Sequence, residues 1–169
     1  MDRTALQELQ APIKARYRED PASAVLTLHA EGDLTGDGLV CSVATGRALV
    51  EAGLHPATGG SGLQACSGDM LLQALVACAG VTLRAVATSL ELDVAGTVRA
   101  EGDLDFRGTL GVDREAPVGF SAIRLTFDLR TGATDEQVAT LVRLTERYCV
   151  VYQTLRGGVP VQVGTLRAA

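Results

Sequence analysis

Two periodicities divide the chain. Between Ala24 and Leu34 apolar and polar residues alternate, with Leu26, Leu28 and Ala30 on one side and Thr27, His29 and Glu31 on the other. That is the pattern of a half-buried strand. The turn residues Thr35 to Gly38 follow, and Leu39, Cys41 and Val43 then return on one face, so the two runs read as an antiparallel hairpin. A further short strand is expected over 48–52. Alternation resumes over 93–106 and over 120–130, the latter with Ile123, Leu125, Phe127 and Leu129 inward and Arg124, Thr126 and Asp128 outward. A last strand is expected over 159–166, where Pro160 favours a sheet edge.

The second periodicity is helical. Residues 4–18 place Leu6, Leu9 and Ile13 on one face, with Thr4 as a cap and Pro12 marking a kink or a late start. The stretch "ACSGDMLLQALVACAGVTLRAV" (65–86) predicts a helix from about Asp69 to Leu90, capped by Ser67, with Asp69 complementing the helix dipole. Its apolar residues occupy every face, so it must be buried on every face. A chain of 169 residues with 4% aromatics cannot wrap such a helix alone, which predicts that a second copy covers it. Thr134 and Gln137 form a capping box for a last helix, whose stripe is Val138, Leu141, Val142, Thr145, Cys149 and Tyr152 and which stops at Arg156–Gly158. Strands segregate from helices. The expected class is α+β, one domain over 1–169 with a helical extension over 1–20.

Composition narrows the function. At 47% apolar residues a real core is available, while the net charge of −5, the single lysine Lys14 and the lack of any basic block argue against nucleic acid or an anionic membrane surface as a partner. The charged N-terminus lacks an apolar secretory core. The longest apolar stretch, Met70 to Leu83, is shorter than the ~20 residues of a spanning helix. A cytoplasmic location is expected, and with it reduced thiols.

The sequence has no CxxC, HExxH, GxSxG or strand-following GxGxxG, and Gly59 to Gly62 is too short for a phosphate loop. His29 and His55 match no zinc spacing; His29 reads as a structural strand residue and His55 as either a ligand-loop or a turn residue. No metal, haem or nucleotide is suggested. Four cysteines remain. Their plain reading is as small buried hydrophobes, which suits Cys41. Cys78 and Cys149 differ, because each lies on a buried helix stripe, and if those stripes face each other the thiols meet. Such a pair suits two-cysteine peroxide chemistry, in which one thiolate becomes a sulfenic acid and the other thiol condenses with it. Apolar surroundings raise a thiol pKa, so a reactive Cys78 needs a cation or a hydrogen bond to its thiolate.

"CSGDMLLQALVACAGVTLRAVA" and "ERYCVVYQTL", preceded by "TGRALVEAGLHPATGG", resemble the OsmC family of osmotically inducible and organic hydroperoxide resistance proteins over about residues 14–166. The resemblance implies an intertwined homodimer with two central helices packed together and sheets wrapped around them. It implies that Cys78 is the peroxidatic and Cys149 the resolving cysteine of an organic hydroperoxide reductase, re-reduced by a dithiol such as a lipoylated protein. In the peroxidase members a carboxylate precedes the peroxidatic cysteine by nine or ten residues, and Asp69 stands nine before Cys78. Nine residues of helix rise ~13.5 Å, so Asp69 suits the Cys78 of an antiparallel partner helix better than its own. Met70, Leu71, Val81, His55 and Cys66 are the implied substrate pocket, favouring alkyl or fatty-acyl hydroperoxides.

The chain departs from the family pattern in three places. An arginine normally holds the thiolate and the leaving oxyanion, with the carboxylate orienting it. None stands at "TGDG", which leaves Arg47 as first substitute, before Arg16 and Arg18. The carboxylate is aspartate rather than glutamate. Val150 stands where a proline often follows the resolving cysteine. Without a cation, Cys78 would remain near the free-thiol pKa of ~8.5, about 3% thiolate at neutral pH. Cys66, at the head of the long helix, is a rival reactive thiol and an alternative resolving partner. The competing reading is a non-catalytic dimer on the same fold that binds a small apolar ligand or senses redox state.

Overall fold

The computed structural model describes residues 2–19, 32–33, 40–44, 49–111 and 113–167. In chain order they form α1 (Arg3–Glu19), β1 (Gly32–Asp33), β2 (Val40–Ala44), β3 (Leu49–Gly53), β4 (Ala65–Cys66), α2 (Ser67–Ser89), β5 (Val94–Asp103), α3 (Phe106–Thr109), β6 (Ala122–Thr131), α4 (Asp135–Tyr148) and α5 (Val150–Gly157). Strands β1, β2 and β3 run antiparallel in that order, and β4 joins parallel to β3. The second sheet is the antiparallel pair β5–β6, in register from Val94↔Thr131 to Asp103↔Ala122. The architecture is α+β.

Helix α2 is the centre. It packs against α4, α5 and β5, with α1 along its far end. Leu75, Ala79, Leu83 and Ala87 fall at i, i+4, i+8 and i+12 and are its buried stripe. The two alanines let α4 approach closely, so that Leu141 and Thr145 are wholly enclosed. Val86, Leu92, Val94, Phe127 and Leu129 close the cluster around Leu83, Ala87 and Leu141. Truncation of Leu141 to alanine leaves a void in this cluster and is expected to lower unfolding free energy by about 2–5 kcal/mol, read from urea denaturation. Ile123, Leu125, Phe127 and Leu129 are half-buried and their neighbours exposed, as their alternation requires. Gly96 has φ +143°, and a Cβ there would lie 2.0 Å from the Asp128 carbonyl oxygen, so β5 needs glycine where it crosses β6.

Several expectations need correction. Asp2, not Thr4, caps α1, its carboxylate accepting from the Ala5 N–H at 2.8 Å. Cys66, not Ser67, is the N-cap of α2 and makes no side-chain capping bond. The capping box of Thr134 and Gln137 is present. The helix it starts is not continuous, however, because Cys149, at φ −75° and ψ 109°, divides α4 from α5. Residues 159–166 form no strand, and Val161 is 82% and Val163 92% exposed, with no strand among the described residues beside them. Helix α2, with 23 residues, is long and apolar enough to cross a bilayer, contrary to the count from Met70 to Leu83. His29 and the turn Thr35–Gly38 lie outside the described residues.

Candidate functional site: two thiols at the α4–α5 break

Cys149 closes one helix and opens the next. Its N–H bonds to the Thr145 carbonyl at 2.9 Å, completing α4, and its carbonyl accepts from the Gln153 N–H at 3.0 Å, starting α5. The Gln153 side-chain amide donates to the Glu146 carbonyl at 2.7 Å and ties the two helices across the break. Left-handed Gly158 (φ 59°) ends α5. A new helix start leaves its first N–H groups without intrahelical acceptors. Here they meet sulfur.

Cys78 projects from α2 into this corner. Its half-buried thiol neighbours that of Cys149, which is fully enclosed, and the two influence each other's acidity. Burial alone raises the Cys78 thiol pKa, but the N–H of Val151, the Cys149 thiol, the N–H of Val150 and the Thr82 hydroxyl outweigh it and bring it below the usual value. Cys149 goes the other way. Its burial raises it and the neighbouring Cys78 adds to that, against the N–H groups of Tyr152 and Val151. The acidities of two chemically identical groups are thus driven apart, Cys78 downward and Cys149 upward, the direction that stepwise thiol chemistry uses. At neutral pH iodoacetamide is therefore expected to modify Cys78 ahead of Cys149, and the Cys78 rate to rise at a lower pH than that of a free thiol. Peptide mass spectrometry after timed quenching reads both.

The remaining candidates assemble elsewhere. His55, Cys66 and Asp69 line a second cavity of about 380 Å³ at the head of α2, with Asp103, Phe106 and Phe120. His55 serves its turn: Nδ1 accepts from the Ala57 N–H at 3.1 Å, and the ring stacks on Phe106 at 5.0 Å. Asp69 is exposed, about 13.5 Å along the helix axis from Cys78. Within the chain, Cys149 and not Cys66 therefore meets Cys78. Met70 is half-buried, and Leu71 and Val81 are exposed on α2. Arg47 lies outside the described residues, as do the side chains of Arg16 and Arg18. Among the described residues, no guanidinium contributes to the Cys78 environment. The main-chain groups of Val150 and Val151 and the hydroxyl of Thr82 escape a motif reading; the i, i+4 spacing of Cys78 and Thr82 is the one sequence signal for any of them.

A groove of about 590 Å³ adjoins the pair, lined by Leu75, Ile123, Leu125, Phe127, Val142 and Leu155, with Glu146 and Arg156 among its polar residues. Leu75 is one turn before Cys78, and Tyr152, whose N–H meets the Cys149 sulfur, is also in its wall.

The family model for OsmC-like proteins matches residues 60–164, which hold α2, both β5 and β6, and both thiols. The chain belongs to the OsmC family. No curated protein matches it. Among solved structures it is similar to the OsmC-like protein of Mycoplasma pneumoniae, with 15% identity and a TM-score of 0.64 over 79% of this chain and 89% of that one. It is also similar to the organic hydroperoxide resistance protein of Elizabethkingia anophelis, with 18% identity and a TM-score of 0.58 over 79% and 91% of the two chains. The Legionella pneumophila organic hydroperoxide resistance protein OsmC gives 18% and 0.56 over 79% and 91%. At these identities the likeness is one of fold. The Cys78–Cys149 corner lies within the span that the family model matches.

Proposed function

We propose that this OsmC-family protein is a thiol-dependent peroxidase that reduces organic hydroperoxides to alcohols. The observation that carries the reading is the contact between two thiols whose acidities are driven apart. The Cys78 thiolate attacks the terminal peroxide oxygen. An S–O bond forms, the O–O bond breaks, and the alkoxide leaves as alcohol after taking a proton. The Cys149 thiol then attacks the Cys78 sulfenic acid; the disulfide forms and water leaves, carrying the thiol proton and the sulfenic hydroxyl. A dithiol, such as a lipoylated protein, reduces the disulfide by exchange. The aliphatic and aromatic side chains in the wall of the neighbouring groove, Leu75, Ile123, Leu125 and Phe127, support alkyl or fatty-acyl hydroperoxides over hydrogen peroxide.

A homodimer belongs to this reading. Helix α2 leaves Val81 72% exposed, and only 22% of its most apolar window is buried in one chain. The alternating valines of 159–163 stand exposed beyond α5. A second protomer would cover these surfaces and could bring its own Asp69 towards Cys78. Light scattering is expected to give twice the 17.6 kDa chain mass.

The test of the reaction is peroxide consumption by reduced protein with dihydrolipoamide. Cumene hydroperoxide and a fatty-acid hydroperoxide are expected to turn over faster than hydrogen peroxide. No turnover of any of them, with Cys78 inert to a thiol reagent in the folded state, would overturn the reading. It would favour the ligand-binding or redox-sensing dimer, which draws its support from the lack of a guanidinium around Cys78 among the described residues.

A further inference from the structure

The groove of about 590 Å³ along β6 and the cavity of about 380 Å³ at the head of α2 have one residue in common: Phe120 stands in the wall of both. They also share a floor. Leu72 lines the cavity and Leu75 the groove, and three residues apart they lie on one face of α2. The two spaces are therefore neighbours along that face, with the Phe120 ring at their junction.

The ring is held in this place. The Asp103 carbonyl accepts from the Ser121 N–H at 2.9 Å and from the Ser121 hydroxyl at 3.1 Å, which ties the chain to β5 one residue after Phe120. The ring then rests against the backbone of Gly102 in β5, where any Cβ would overlap its Cδ1 and Cε1 atoms. A Cβ on Gly68, in the first turn of α2, would meet its Cζ atom at 3.5 Å. A strand and a helix thus each present a glycine to the ring, and the ring fills the space between them.

We propose that Phe120 is a specificity-determining residue, whose ring closes one end of the groove and sets the length of the unbranched neutral chain that the groove accepts. The proposal rests, for its substrate, on the hydroperoxide reduction read above. Two observations select a neutral chain as the occupant. The groove wall is mainly apolar, through Leu75, Ile123, Leu125, Phe127 and Val142, and its charged members, Glu146 and Arg156, are one of each sign. Across the ring the wall carries Asp69 and Asp103, two carboxylates that oppose an anionic end group. That cavity also contains Leu72, Leu104 and Phe106, so a chain admitted past the ring finds further apolar wall.

The test is the binding of straight-chain primary alcohols from hexanol to dodecanol, the product class of that reaction. Calorimetry on the reduced protein reads the affinity, and circular dichroism follows folding. In the parent, affinity is expected to rise roughly two- to fourfold with each methylene and to level off where the chain reaches the ring. In Phe120→Ala the rise is expected to continue over several further methylenes. Phe120→Leu, which keeps a branched apolar side chain at the junction, is expected to level off between the two, and it carries the test alone if the alanine variant does not fold. A parent series that never levels off overturns the proposal, as does a lack of binding of every alcohol. So does an unmoved plateau in the folded variants, even with weaker binding throughout, since Phe120 would then support the fold without measuring the chain. Alcohol binding needs no turnover. If the plateau moves while the parent consumes no peroxide, Phe120 stands as the determinant of chain length and the peroxidase reading falls. If the parent consumes peroxide and the plateau does not move, only the proposal falls.

Discussion

Cys78→Ser is expected to abolish consumption of cumene hydroperoxide, a loss of roughly a thousandfold or more, with the folded state retained. The argument is about one atom. A serine hydroxyl surrounded by the same N–H groups remains protonated at neutral pH, and its oxygen is a poor nucleophile towards a peroxide O–O bond. The polarisable thiolate sulfur is a good one. The change in volume is small, and Cys78 is only half-buried, so the packing around it survives. Peroxide loss should be followed alongside circular dichroism melting curves. Activity within a few-fold of the parent would mean that Cys78 does not react with peroxide, and Cys66, the other half-buried thiol among the described residues, would be the next one to test.

The parts of the fold that follow a simple period were legible in the sequence. The alternation of Ile123, Leu125, Phe127 and Leu129 became the half-buried face of β6, and the capping box at Thr134 and Gln137 became the start of α4. The elements that were not legible depend on relations that a period does not carry. Two residues, Ala65 and Cys66, form β4 only because β3 lies beside them, and that pairing displaces the helix cap from Ser67 to Cys66. The valines at 159, 161 and 163 have strand alternation but no neighbouring strand among the described residues.

The candidate site divides in the same way. That Cys78 and Cys149 could meet was readable from their helix stripes. The stripe crossed Cys149 without signalling a break, because Cys149 bonds as a helical residue on both sides and departs only in ψ. What makes Cys78 acidic could not be read from residue types at all. Two of its donors are main-chain N–H groups, which every residue but proline carries. Val150 looked like a departure from the family, which often has proline there. In the fold that departure supplies an N–H to the sulfur. Asp69, His55 and Cys66 were legible as chemistry-bearing residues, and the fold collects them around a cavity of their own.

Cys149→Ser is expected to separate the two halves of the reaction. The first peroxide should still be consumed, at a rate within roughly tenfold of the parent, and turnover should then fall by roughly a hundredfold or more. Serine is the informative choice. The Cys149 thiol is one of the donors that lower the Cys78 pKa, and a serine hydroxyl can still donate there, whereas alanine would leave the thiolate short of one partner. The enclosed hydroxyl can in turn accept from the N–H groups of Tyr152 and Val151, which now face the Cys149 sulfur, so it is not left unsatisfied. With no thiol in contact, Cys78 should remain as sulfenic acid and be captured by dimedone, seen as one adduct per chain on the peptide holding Cys78. In the parent the same treatment should give the Cys78–Cys149 disulfide and little adduct. Unchanged turnover in Cys149→Ser would show that resolution does not pass through Cys149, and would transfer that step to Cys66 of a neighbouring protomer or directly to the dithiol reductant.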